Sequence, residues 1–183
     1  DVKALKKVVK TELNVEGNPV KKFLDLVIDV KPHQVTLVPD AEDQLTSNHG
    51  WDTIRHKDYL KEIIGELKKH NIRTSIFIDP VSEQIENAVA TGTDRIELYT
   101  EYYAKNFDQD ANKAINSFIK SAHKAAELGL GINAGHDLNL DNIQYFAQNI
   151  PQLDEVSIGH ALIAESLYEG LPTVINKYLK RLQ

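Results

Sequence analysis

The chain has 183 residues, of which 42% are hydrophobic and 26% are charged, a balance typical of one globular domain with a buried core. A formal net charge of −6, without a basic cluster beyond scattered pairs such as Lys68 and Lys69, disfavours nucleic acid as a partner. The absence of cysteine excludes disulfides, thiolate catalysis and cysteine-ligated metals. We expect no membrane helix and no signal peptide, and therefore a cytoplasmic protein that acts on small molecules.

Short β-branched segments alternate with amphipathic helical segments along the chain. A first helix is predicted at residues 1–10, and strands follow at residues 12–15, 34–38, 74–78, 95–99, 131–134 and 155–158. Further helices are predicted at residues 19–30, 54–69, 82–90, 108–128, 140–149, 161–168 and 172–182. Because helix-sized segments connect successive strands, the pattern predicts a parallel sheet with right-handed crossovers.

Polar or small residues stand at the carboxyl ends of nearly all predicted strands, namely Glu16, Asp79, Thr100, His136 and His160. A (β/α)8 barrel places its site on such a face, whereas an open doubly wound sheet concentrates polar residues at one switch point. We therefore predict a single α/β domain over residues 1–183, a (β/α)8 TIM barrel. These barrels have roughly 250 residues, so we expect the first two strands to be missing from this chain. A processed start is the alternative.

Two predicted strands end in the dipeptide Gly-His, at Gly135 and His136 and again at Gly159 and His160. Each pair precedes a helical segment, which places an imidazole and free backbone N–H groups at one mouth of the sheet. Imidazole exchanges a proton readily near neutral pH. The alternative for each histidine is an ordinary loop residue that is already hydrogen-bonded.

Glu97 lies between Ile96 and Leu98 in the fourth predicted strand. If these neighbours face the helices, Glu97 faces the interior of the sheet. A buried acid is costly unless it is paired or functional. Glu97 is therefore a candidate functional residue.

The polar segment of residues 39–52 is long for a connection between a strand and a helix. It indicates a lid that would exclude water from reactive intermediates, with an ordinary surface loop as the alternative. The remaining histidines lack the spacing of metal ligands and are expected at the surface or in loops: His33, His49, His56, His70 and His123. We expect no metal.

Six strings resemble those of the pyridoxine 5′-phosphate synthase family, in the same order over nearly the whole chain. They are Leu13-Asn14-Val15-Glu16, Lys31-Pro32-His33 with Leu37-Val38-Pro39, Phe77-Ile78-Asp79, Ile96-Glu97-Leu98-Tyr99-Thr100, Asn133-Ala134-Gly135-His136 and Ser157-Ile158-Gly159-His160-Ala161. The resemblance implies a (β/α)8 barrel, assembled as an octamer. It implies condensation of 3-amino-2-oxopropyl phosphate with 1-deoxy-D-xylulose 5-phosphate to pyridoxine 5′-phosphate, inorganic phosphate and water, without a metal or organic cofactor.

The resemblance also implies three catalytic residues in this chain. The catalytic glutamate of the family corresponds to Glu16, its proton-transferring histidine to His136, and the residue that stabilises its transition state to Glu97. A carboxylate at Glu16 would shuttle protons if partial burial raised its pKa toward neutrality. The alternative for Glu16 is an exposed residue in a turn.

Four further positions are implied to contact substrate. Thr46 corresponds to a substrate-contacting threonine, and Gly159 with His160 to a phosphate-binding pair. Asp137 stands where many family members have glycine, so its carboxylate would disfavour a phosphate unless it turned away.

Other differences between this chain and the family pattern bear on activity. Tyr99 and Glu101 replace the histidine and glycine common in the family, and Arg73 and Arg95 lie at the opposite ends of their strands. The cations of the family come from the first two units, so we expect this chain alone to be inactive. Another phosphosugar-handling barrel enzyme and a non-catalytic truncated scaffold are the alternatives.

Overall fold

The computed structural model describes residues 1–41 and 44–183, which contain a six-stranded sheet in the order β1-β2-β3-β4-β5-β6. The strands are β1 (Asn14–Gly17), β2 (Gln34–Leu37), β3 (Arg73–Ile78), β4 (Arg95–Tyr99), β5 (Gly131–Gly135) and β6 (Leu153–Ser157). The helices are α1 (Val2–Val8), α2 (Lys21–Val30), α3 (Lys57–Lys69), α4 (Ser82–Thr91), α5 (Glu101–Glu127), α6 (Ile143–Asn149), α7 (His160–Glu169) and α8 (Leu171–Arg181). Every strand pairs in parallel with the next one along the chain, so successive connections all advance across the sheet in one direction.

The two faces of the sheet differ in chemistry because side chains alternate along each strand. On the outer face, Ile96, Leu98 and Ile132 pack with the helices, for example against Phe118 of α5. A second apolar cluster joins β2 and β3 to α2 and α3. The inner face is mostly polar, and five of its polar residues are almost fully buried, namely Gln34, Thr36, Ser75, Glu97 and Asn133. Glu97 therefore faces the interior, as the alternation predicted.

The sheet is strongly curled. Ser157 Oγ on β6 donates a hydrogen bond to Glu16 Oε1 on β1, over 3.0 Å, although these strands form the two edges of the sheet. In a flat sheet, five intervals of about 4.8 Å would separate the edge strands by roughly 24 Å. The protein is thus an α/β half-barrel whose inner face encloses a polar interior.

Charged residues close the amino-terminal end of this interior. The Glu155 carboxylate accepts hydrogen bonds from Arg95 Nη1 at 2.6 Å, Arg73 Nη2 at 3.1 Å, Gln34 Nε2 at 3.1 Å and Asn133 Nδ2 at 3.0 Å. Arg73 also pairs with Glu12. Both arginines thus bind carboxylates at the end of the sheet opposite the Gly-His pairs, as expected.

The predicted strands and helices are all present, but some bounds were wrong. The first strand begins at Asn14 and not at residue 12, and the last spans Leu153–Ser157 and not residues 155–158. The largest error is α5, which begins at Glu101 and not at residue 108. Its first half ends at a non-helical residue, Asp110, whose Oδ1 accepts a hydrogen bond from Lys113 N at 3.0 Å. The predicted start thus lay close to the second half of an interrupted helix.

No helix in the described part of the chain combines the length and apolar character needed to cross a bilayer.

Candidate active site

A cavity of about 290 Å³ opens at the carboxyl ends of the strands. Its lining residues come from β1, β3, β4, β6 and the segments that follow β2, β5 and β6: Glu16, Val38, Ser47, Phe77, Glu97, His136, Asp137, Ser157, Ile158, Gly159 and His160. Six of the seven predicted site residues are in this set, and the seventh, Thr46, contacts His136. The structure therefore brings all seven together.

Glu97 is the most deeply buried acid of the cavity, with 1% of its surface exposed. Burial raises its pKa well above the usual value, and the nearby charge of Glu16 raises it further. Its Oε2 atom has no hydrogen-bond partner among the described residues. Gly135 on β5 makes room for the carboxyl group, since a Cβ atom there would stand 2.3 Å from Glu97 Oε1. The site thus holds an acid that favours its protonated form.

Glu16 is the second acid of the cavity. Its side chain remains accessible from the open side of the sheet, but its carboxyl group lies among the strands and accepts the hydrogen bond from Ser157. Desolvation raises its pKa, against the opposing effect of that hydrogen bond. Burial of the carboxyl group thus shifts the pKa of Glu16 in the direction that a proton shuttle requires.

The backbone of His136 and Asp137 is left-handed, with φ values of 84° and 60°. Such values are uncommon for residues other than glycine and often mark functional sites. The buried Thr100 holds this turn, because its Oγ1 donates to the carbonyl of Gly135 at 2.7 Å and also contacts the carbonyl of His136. The turn directs the His136 side chain into the cavity.

The imidazole of His136 has polar and aromatic neighbours. Its Nε2 atom lies 2.9 Å from Thr46 Oγ1, and its Nδ1 lies 3.3 Å from Asp137 Oδ1, although the pair lacks hydrogen-bond geometry. The Tyr99 ring meets the imidazole edge to face, with centroids 5.0 Å apart. The Asp137 carboxylate thus turns toward His136.

The second Gly-His pair opens α7. Gly159 is the N-cap of this helix, and a Cβ atom at Gly159 would find nothing within 4 Å. The His160 ring lies 6.5 Å from that of His136. Open space before the first turn of a helix suits an anionic group, because the free N–H groups of that turn attract negative charge.

Sequence reasoning assigned no specific role to two contributors to this arrangement, although Thr100 was noted among the polar residues at strand ends. Ser157 and Thr100 both lie in the strings that resemble the family, but neither carries a charge or a ring that would mark it. Their roles depend on strands that are distant in sequence. The predicted loop of residues 39–52 contains Glu42 and Asp43, which lie outside the described residues.

Two absences hold for residues 1–41 and 44–183. None of the cavity-lining residues that the structure describes is Lys or Arg. His, Asp and Glu side chains form no group there that would hold a metal ion.

The curled parallel sheet and the acid-base cavity at its carboxyl end define an α/β enzyme that acts on small molecules. The family model described as "Pyridoxal phosphate biosynthesis protein PdxJ" matches residues 1–183, and the chain belongs to this family. The resemblance found in the sequence is thereby confirmed.

Close relatives carry one name. The chain is 61% identical to the pyridoxine 5′-phosphate synthase of Flavobacterium johnsoniae and 59% identical to that of Christiangramia forsetii, in each case over all 183 residues. It spans 77% of the length of both proteins.

Solved structures show likeness of fold alone. Tryptophan synthase from M. tuberculosis aligns with the whole chain at a TM-score of 0.61 and 13% identity, over 66% of its own length. A second structure, the Amycolatopsis orientalis BexX/CysO complex, aligns with 86% of this chain and 59% of that one, at a TM-score of 0.53 and 14% identity.

Proposed function

We propose that the protein is a pyridoxine 5′-phosphate synthase, which condenses 3-amino-2-oxopropyl phosphate with 1-deoxy-D-xylulose 5-phosphate. Pyridoxine 5′-phosphate, inorganic phosphate and water are the products. The observation that carries the proposal is the meeting of Glu16, Glu97 and His136 in one cavity of a chain from this family.

The reaction needs repeated proton transfers, because an imine must form, water must leave and a ring must close. A carboxyl group with a raised pKa both donates and accepts protons near neutral pH. Glu16, whose pKa is raised and whose side chain is accessible, shuttles protons in this proposal. His136 transfers protons to the substrate at Nε2 or Nδ1, and Glu97 stabilises charge in the transition state from its buried position.

Substrate phosphate binds, in this proposal, at the start of α7. Gly159 leaves open space there, and the first-turn N–H groups together with His160 attract the anion. Thr46 contacts substrate from the loop above His136. Asp137 contributes its backbone N–H, since its carboxylate lies beside His136 Nδ1.

We further propose that the curled sheet is part of a (β/α)8 barrel, closed by two more strands between β1 and β6. The consecutive strand order and the curl support this, as does the greater length of the relatives. A cytoplasmic location, an octamer, the absence of a metal or organic cofactor, and the absence of nucleic-acid and membrane partners belong to the proposal and derive from the resemblance and the composition.

The test is product formation from the two substrates, followed by fluorescence and mass spectrometry of pyridoxine 5′-phosphate and by release of inorganic phosphate. It is run with this chain, for which we expect no activity, and with a protein that spans the full length of the relatives, for which we expect turnover. His136→Asn should abolish turnover, whereas His123→Asn, at an exposed position of α5, should leave it unchanged. No product from the longer protein with both substrates saturating would refute the function.

A further inference from the structure

Tyr99 lies at the end of β4 beneath the loop that carries Thr46. Only 5% of its surface is exposed. Its ring packs against Phe77, with centroids 5.2 Å apart, and meets the His136 ring at 5.0 Å and an interplanar angle of 82°. This edge-to-face arrangement is favoured for aromatic pairs, so Tyr99 restricts the plane of the imidazole.

The hydroxyl of Tyr99 reaches the loop. It donates a hydrogen bond to the carbonyl of Ser47 over 3.3 Å. Burial and the charge of Glu101 raise the pKa of this phenol, so it stays protonated as a donor. Ser47 is also held at its side chain, where Oγ donates to Asp40 Oδ2 at 2.5 Å.

The contacts among Tyr99, His136 and the segment of Thr46 and Ser47 form a closed ring. Tyr99 contacts His136 through its ring and Ser47 through its hydroxyl, and the adjacent Thr46 contacts Nε2 of His136 at 2.9 Å. Loss of any one contact leaves the other two groups less constrained. The imidazole is thus fixed from two directions by a single buried side chain and the segment it holds.

We propose that Tyr99 is a positioning residue, which anchors Ser47 through its hydroxyl so that Thr46 meets His136, and which sets the plane of the imidazole through its ring. The two parts of the side chain have separable tasks. The hydroxyl governs the loop, and the ring governs His136. The kinetic consequences rest on the proposed function, but the contacts themselves do not.

Two substitutions separate these tasks. Tyr99→Phe keeps the ring and removes the hydroxyl, whereas Tyr99→Leu removes both. Tyr102→Phe is the matched control, because Tyr102 is a half-exposed tyrosine on the first turn of α5. Thermal unfolding establishes that each variant is folded.

Amide hydrogen exchange of residues 44–48 tests the hydroxyl without any need for activity. Loss of one neutral hydrogen bond should raise local opening, and hence exchange, by about fivefold in Tyr99→Phe. Tyr102→Phe should exchange like the parent protein. Equal exchange in Tyr99→Phe and Tyr102→Phe would overturn the role of the hydroxyl, whether or not the protein makes pyridoxine 5′-phosphate.

The ring is tested by NMR of the imidazole and by kinetics in the protein that turns over. Tyr99→Leu should shift the His136 ring signals and lower kcat. Tyr99→Phe should leave those signals in place and raise KM by about fivefold, because substrate must then order the loop. Unchanged imidazole signals in a folded Tyr99→Leu variant would overturn the role of the ring.

Discussion

The carboxyl group of Glu97 occupies the space that a side chain at Gly135 would need. A Cβ atom at Gly135 would stand 2.3 Å from Glu97 Oε1 and 3.0 Å from Ser157 Cβ. The glycine of the first Gly-His pair is therefore required by a neighbouring strand, since its own φ does not lie in the left-handed region.

Gly135→Ala should displace the Glu97 carboxyl group. We expect the free energy of unfolding to fall by about 1–3 kcal/mol, as is usual for overpacking, and the protein that spans the full length of the relatives to lose turnover. Gly65→Ala is the control, because Gly65 lies in α3 and a Cβ atom there would meet nothing within 4 Å. That variant should gain about 0.5–1 kcal/mol. Urea denaturation and steady-state kinetics test both variants. An active, stable Gly135→Ala protein would show that Glu97 does not require glycine at position 135.

Glu97 should make stability depend on pH. Its pKa is raised in the folded protein, so the folded state binds more protons than the unfolded state once the pH exceeds about 4.3. The free energy of unfolding should then fall as pH rises toward the folded pKa, by at most about 1.4 kcal/mol per pH unit from this group.

Glu97→Gln should flatten this dependence, because the amide does not titrate. The measurement is urea denaturation at a series of pH values above 4.5. Glu62→Gln, at an exposed position of α3, should retain the slope of the parent protein. Parallel slopes for Glu97→Gln and the parent protein would show that Glu97 is not the group responsible.

Thr100→Val should impair the left-handed turn at His136. The substitution removes the hydroxyl that donates to the carbonyl of Gly135 and contacts that of His136, at an expected cost of about 1–3 kcal/mol in unfolding free energy. In the protein that spans the full length of the relatives, we expect kcat to fall by about tenfold or more, because a small displacement of His136, the proposed proton-transfer group, is costly.

Thr91→Val provides the comparison for Thr100→Val. Thr91 is also a buried threonine whose hydroxyl bonds a carbonyl, that of Ala88 at 2.6 Å, but it lies in α4. Its substitution should lower stability and leave kcat unchanged. If the two variants lost equal activity, the turn would have no specific part in catalysis.

Arg95→Met should destabilise the curled sheet. Arg95 is 17% exposed and bonds Glu155 and Asn133, so its removal leaves a partly buried carboxylate with fewer partners. We expect a loss of about 1–3 kcal/mol in unfolding free energy, less than for a fully buried pair. Lys21→Met breaks an ion pair that is 87% and 63% exposed and should cost no more than about 0.5 kcal/mol. If urea denaturation gave equal losses for Arg95→Met and Lys21→Met, the bonds of Arg95 to Glu155 and Asn133 would not stabilise the sheet.

Local sequence patterns predicted the alternation of strands and helices and the inward direction of Glu97, because both depend on spacing within a few residues. The first half of α5 was missed for the same reason. Its buried Tyr103 and the neighbouring Phe107 form a single apolar pair, which is too short a repeat to mark a helix before the break at Asp110.

The site was predictable only as a set of strand ends. That each candidate lies at the carboxyl end of a parallel strand follows from the chain pattern, so their proximity was expected. The bond between Ser157 and Glu16 spans 141 positions, and the bonds of Thr100 to the turn at His136 span two strands. The first bond depends on the curl of the sheet and the second on the pairing of β4 with β5, and no local pattern encodes either.

The bond between Glu16 and Ser157 also bears on how the cavity forms during synthesis. Contacts between residues far apart in sequence form late, because a long loop must close before they contribute to stability. The residues that line the cavity range from Glu16 to His160. A nascent chain whose β6 is still inside the ribosome therefore cannot assemble the cavity. The complete cavity thus forms only after nearly the whole of residues 16–160 has left the ribosome and folded.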